Sequence, residues 1–127
     1  MIWVPTIEYI LKLFEEHLED PILIHQSRLV STLDKVLWGI PYQPNPDIWD
    51  RVTILYKDII EGHYFYDGNK RISLLIAYLF LYKNGYVLIA TNDDAKEMTL
   101  QVAQGLKSYE EIKEWFRNNT KELSIRT

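Results

Sequence analysis

The chain of 127 residues has no cysteine, no apolar run long enough to cross a bilayer and no tract of basic side chains. Without cysteine there is no disulfide, no thiolate nucleophile and no cysteine-bound metal, a composition compatible with a reducing cytoplasm. The longest apolar run, Ile72 to Tyr82, is interrupted by Ser73 and reads as a central buried helix, not a membrane span. Met1-Ile2-Trp3 does not open like a signal peptide. A formal charge of −4 gives no global attraction for nucleic acid, so direct nucleic-acid binding is not expected. A cytoplasmic protein with no membrane association is expected. What the chain does have is 47% hydrophobic and 13% aromatic residues, enough at this length to bury one core, without repeats or a low-complexity linker. Residues 1–127 are therefore read as a single domain.

Helical periodicity recurs along the chain, and the fold is predicted to be all-α, with about six helices around a central one. Pro5-Thr6 opens a first helix with Ile7, Ile10, Leu11, Phe14 and Leu18 on one stripe, closing before Asp20-Pro21. A second runs from about Ser27 to Trp38 on Leu29, Val30, Leu33, Val36 and Leu37, and stops at Gly39 ahead of prolines 41, 44 and 46. A third begins near Pro46-Asp47 and carries Ile48, Val52, Leu55 and Ile59 to Gly62, delivering His63 at its end. The fourth, apolar nearly all round, spans Lys70 to Asn84 and stops at Asn84-Gly85. Val87 to Ala90 is predicted to be a short extended piece. Asn92-Asp93-Asp94 caps a fifth helix to about Leu106, and Ser108 to Glu111 forms a capping box for the sixth.

The stretch His63-Tyr-Phe-Tyr-Asp-Gly-Asn-Lys-Arg71 concentrates the chemistry. Asn69 is read as the N-cap of the fourth helix, so that unpaired N–H groups and the positive end of the helix dipole face the Asp67-Gly68 turn. Gly68 lets a phosphate approach the backbone, and Arg71 supplies a planar fork for its oxygens. Lys70 and Arg71 oppose the dipole in the first turn, which points to an anionic ligand offsetting that cost. Asp67 is a hard oxygen donor suited to Mg²⁺, the alternative being a turn with Gly68. His63 can act as a general base toward an attacking hydroxyl. Phe65 is read as a core anchor that fixes the loop.

At these residues the chain resembles the Fic/Doc family, whose signature runs His-x-Phe-x-Asp/Glu-Gly/Ala-Asn-Gly/Lys-Arg. The likeness is strong from about Ile59 to Tyr86 and weak after Ala90. Within the family it is closer to the Doc (death-on-curing) toxins. Lys70 stands where AMP-transferring members carry glycine, Tyr64 where they carry proline, and Leu74 where they carry a second arginine. The resemblance implies a compact helical Fic/Doc domain with a short flap, for which Trp38 to Trp49 is the candidate, a plain inter-helix loop being the alternative. It also implies a toxin kinase that transfers the γ-phosphate of ATP, with Mg²⁺, to a protein hydroxyl and so arrests translation, with elongation factor Tu as the implied target. In that reading His63 is the base, Asp67 holds Mg²⁺, Gly68 and Asn69 shape the anion turn, and Lys70 and Arg71 neutralise the transferring group. An AMP transferase (AMPylation) using the same base and metal is the alternative, and a non-catalytic nucleotide- or protein-binding module is a third reading.

The self-restraining helix that many proteins of the family it resembles carry, of pattern Ser/Thr-x-x-x-Glu-Gly/Asn, has no match in this sequence. Glu61-Gly62 comes nearest and fails at Lys57. Restraint is therefore expected from a separate, Phd-like antitoxin whose C-terminal segment folds as a helix over residues 63–71. His17, among Glu15, Glu16 and Glu19, and His25 have no metal-ligand spacing.

Overall fold

In a computed structural model the described residues are 1–41, 43 and 45–123. They form helices α1 (Ile7–His17), α2 (Gln26–Trp38), α3 (Ile48–Gly62) and α4 (Asn69–Lys83), strand β1 (Tyr86–Leu88), helices α5 (Asn92–Ala103) and α6 (Tyr109–Asn118), and strand β2 (Thr120–Glu122). The six helices match the expectation. The strands form a small antiparallel pair, Tyr86 opposite Glu122 and Leu88 opposite Thr120, of which only the first was foreseen.

Local chemistry sets the helix ends. Thr6 caps α1 by accepting the Tyr9 N–H at 3.1 Å. Asp47 and Asp50 form a reciprocal capping box on α3, and Ser108 and Glu111 form the expected one on α6. Arg51 donates to the carbonyls of Val36 (2.7 Å) and Leu37 (3.1 Å), closing the last turn of α2 with a cation. For α5 the cap is Thr91, whose hydroxyl accepts the Asp94 N–H, so Asn92 is the first helical residue and not the cap. That helix ends at Ala103, short of Leu106, because Gly105 turns left-handed (φ 75°) and the Leu106 N–H returns to Gln101.

The core lies between α3 and α4, with α2, α5 and α6 packed on α3 and with α5 and β1 packed on α4. Ile72, Ile76, Ala77, Phe80 and Leu81 of α4 are buried, as are Val52, Leu55, Tyr56, Ile59 and Ile60 of α3. The α4 surface is not apolar-buried all round: Tyr78 and Tyr82 are exposed. On α2 the buried stripe is Leu29, Thr32 and Val36, rotated from the expected face, and Val30 points to solvent. Between α2 and α3, in the segment read as a flap or a plain inter-helix loop, Ile40 and Gln43 exchange backbone hydrogen bonds of 3.2 and 2.9 Å in an isolated bridge, while Tyr42 lies outside the described residues. Pro44, expected to help end α2, lies outside the described residues.

Candidate functional site

The loop from His63 to Gly68 joins α3 to α4 and is held from three sides. Its backbone pairs with the α1–α2 linker: Leu23 bridges Phe65, the Tyr66 N–H reaches the Ile22 carbonyl at 2.9 Å, and the Tyr64 carbonyl accepts the N–H groups of Ile24 and His25. Phe65, fully buried, stacks on Phe14 of α1 with ring centroids 4.8 Å apart, as an anchor should. Asn69 closes the third side. Its amide accepts the Phe65 N–H at 3.0 Å and donates to the Phe65 carbonyl at 2.8 Å, bracing the loop across the turn.

That brace corrects the expected cap. Gly68, at φ 79° and ψ 11°, occupies the N-cap position of α4, and Asn69 is the first helical residue. An asparagine at this point could cap, but its side chain satisfies both polar groups of buried Phe65, which would otherwise be costly orphans. In this chain glycine is favoured at 68 on two counts. The backbone is left-handed, and an added Cβ would sit 2.8 Å from Cζ of Phe14, which is locked against Phe65. The α4 N-terminus keeps the donors expected of an anion turn: the first closing bond runs from Ile72 N–H to the Gly68 carbonyl, and the N–H groups of Asn69, Lys70 and Arg71 find no acceptor among the described residues.

His63 is exposed, at the C-cap of α3, and adopts a left-handed conformation (φ 48°, ψ 52°). Asp67 is exposed and accepts the Gly68 N–H with one carboxylate oxygen at 2.8 Å; the alternative turn reading would need the N–H of Asn69, two residues on, to which Asp67 makes no bond. Its other oxygen meets no protein donor among the described residues. Asp67 borders a cavity of about 160 Å³ with Phe14, Glu19, Asp20, Ile22 and Tyr66. Lys70 and Arg71 border a different and larger one, a groove of about 720 Å³ with an apolar floor that includes Leu74, Leu75, Tyr78 and Leu100. His63 borders neither. The motif thus sits on the divide between two recesses, with its carboxylate on one side and its cations on the other.

Arg71 is not unpartnered. Its guanidinium lies 3.5 Å from Glu19, both side chains being more than half exposed, so the pair is weak and easily exchanged for a ligand's oxygens. Glu61, the near match to a restraining glutamate, is engaged by Lys57 at 2.6 Å. His17 lines the large groove, and His25 contributes its backbone N–H to the loop.

A magnesium ion fits this setting as a companion of a nucleotide. Mg²⁺ is usually bound by one or two carboxylates plus phosphates and water, and Asp67 offers one exposed carboxylate beside the anion turn. Among the described residues no cluster of three His, Cys, Asp or Glu side chains could hold a metal alone.

Several participants escaped the sequence reading: Phe14 beneath Gly68, Glu19 against Arg71, and Thr32, whose hydroxyl contacts Tyr64. Phe14 was legible only as a core residue of the first helix, and Thr32 left a signal as a polar residue in register with Leu29 and Val36 on a buried stripe. No helix is long and apolar enough to cross a membrane among the described residues.

No match is found among curated proteins. The family model described as Fic/DOC family matches residues 14–81, from the phenylalanine under the loop to the end of the buried α4 face. Proteins of that family are in general transferases, and membership points to protein modification by nucleotide transfer. With more than half its length matched and the signature loop intact, the chain belongs to the Fic/DOC family.

Proposed function

We propose that the chain is a Doc-like kinase that transfers the γ-phosphate of ATP to a hydroxyl side chain of a target protein. The observation that carries this reading is the joint placement of Lys70 and Leu74 on the large groove. AMP-transferring relatives have a glycine and a second arginine at these positions. A long cation at 70 narrows the approach to the α4 amides, and an apolar side chain at 74 removes a ligand for a nucleotide lying in the AMP-transferring orientation. The opposite orientation brings the γ-phosphate toward the loop.

In this mechanism His63 takes the proton of the target hydroxyl as its oxygen bonds to the γ-phosphorus, while the bond from that phosphorus to the bridging oxygen breaks and ADP leaves. Charge gathering on the transferring group meets the N–H groups of residues 69–71 and the side chains of Lys70 and Arg71, which gives up Glu19 for the phosphate. Asp67 would hold Mg²⁺, which would supply positive charge to offset that of the phosphates. Translation machinery, with elongation factor Tu first among candidates, is the proposed target class, and a Phd-like antitoxin is the proposed restraint, since Lys57 already engages Glu61 and no second arginine awaits a clamp.

ATP labelled separately at the α and γ positions, incubated with the protein and a bacterial lysate, tests the proposal. Label from the γ position alone entering protein supports it. Transfer of α label would replace it with AMP transfer, and transfer of neither would leave a non-catalytic binding module.

A further inference from the structure

We infer that Tyr64 and Thr32 are positioning residues that hold His63 in its left-handed conformation through a one-directional hydrogen-bond chain that is buried at Tyr64 and Thr32 and reaches part-exposed Asp58 and Lys35. This rests on the reading of His63 as the base. Among the described residues His63 is the one non-glycine residue with positive φ, a conformation that persists only where its surroundings impose it. Its own side chain is exposed and can impose nothing. Its neighbour can.

Tyr64 is buried (6% exposed), with its ring folded back under the last turn of α3, so close that a Cβ on Gly62 would clash at 2.2 Å with Cε1. This reversal, from a helix running outward to a ring pointing back beneath it, is what the turn at His63 accomplishes. The ring is fixed at its far end. Its hydroxyl lies 2.7 Å from Oγ1 of Thr32, which is itself fully buried and donates to Oδ2 of Asp58 at 3.0 Å. Threonine has a single hydroxyl proton, and with that proton on Asp58 the Tyr64 hydroxyl must be the donor to Thr32. Lys35 holds Asp58 at 2.8 Å and ends the chain with a charge. Aligned donors of this kind strengthen one another in a buried setting. At the backbone end, the Tyr64 carbonyl is taken by the N–H groups of Ile24 and His25. The residue after His63 is thereby fixed at hydroxyl, ring and carbonyl, and the imidazole inherits that placement.

The test uses the full chain carrying ¹³C-labelled histidine, the His63 signal being identified by its loss in His63→Ala. Tyr64→Phe and Thr32→Val are each expected to shift or broaden the His63 imidazole resonance and to lower kcat roughly ten- to a hundredfold, the scale of a misplaced catalytic group. KM for ATP should stay within about twofold, because the nucleotide contacts are untouched. Thr32→Ser, which keeps the hydroxyl, should restore both readouts. An unchanged His63 resonance in Tyr64→Phe, a moved resonance with unchanged kcat, or a loss falling on KM would each overturn the inference. If Tyr64→Phe does not fold, Thr32→Val decides, and failure of both to fold would make the chain a structural one and overturn it too. Should the native protein transfer nothing, the functional reading fails while the resonance still decides whether Tyr64 positions His63.

Discussion

His63 occupies the backbone conformation that helix ends ordinarily assign to glycine. A β-carbon in the left-handed region costs about 1–2 kcal/mol, partly offset by the about 0.5–1 kcal/mol that glycine loses in chain entropy. His63→Gly is therefore expected to stabilise the fold by roughly 0.5–1 kcal/mol while transfer falls about 10²- to 10⁴-fold, the usual contribution of a general base. Thermal unfolding and a transfer assay on the same variant check this opposition, and a variant that is both less stable and fully active would refute it. The residue types in this loop were legible because each has a narrow chemical vocation at that spacing. Asn69 was misread because a capping amide and a loop-bracing amide look identical in sequence. They differ only in whether a buried Phe65 backbone needs partners, and that burial comes from Phe14, far back in the chain.

Between elements, the α3–α6 contact joins an apolar part, where Tyr56 meets Phe116, to a polar part that is sensitive to acid. Asp50, nearly fully buried, takes hydrogen bonds from Lys113 at 2.9 Å and Tyr109 at 2.7 Å, and Gln43 of the segment between α2 and α3 reaches its other oxygen at 3.1 Å. Burial alone would push its carboxyl up, but Lys113, Tyr109 and the Asp47 backbone outweigh it and hold the pKa at about 2, against an ordinary 3.8. Burial and the adjacent Asp50 carboxylate push the Tyr109 phenol up, and the Asp50 hydrogen bond raises Lys113. A depressed carboxylate stabilises the fold fully above its unfolded pKa and progressively less as pH falls through the folded value. About 2 kcal/mol should thus disappear progressively between roughly pH 5 and pH 1. Urea titrations across that window should show the loss in the native chain and a flattened profile in Asp50→Asn; identical profiles would remove Asp50 from the account. Helix ends whose caps lie within one turn of sequence, such as the start of α3 and the start of α6, were legible almost to the residue. The α2 stripe was not, since the buried Thr32 is recruited by Tyr64 and not by apolarity. Nor was β2, whose three residues Thr-Lys-Glu carry no strand signal apart from their partner β1.

For the molecule as a whole, the proposal of an externally restrained toxin has a cellular readout. Expression of the chain alone in a bacterium is expected to arrest growth, and co-expression of the neighbouring gene to relieve the arrest; harmless expression of a folded, ATP-competent protein would sink the idea. The all-α architecture was legible because helix periodicity survives in nearly every segment, whereas the partition of the motif between two recesses was not, because their walls come from α1, α5 and the linker. The bridge between Leu23 and Phe65 carries a consequence for portability. The signature residues are contiguous, yet their rigidity comes from Phe14, Ile22, Leu23 and Thr32, which sit on α1, the linker and α2. Transplanting His63 to Arg71 onto another pair of helices would carry over the functional groups without their geometry. The smallest transferable unit runs from α1 through α4, and a designer who wants this chemistry must move all of it.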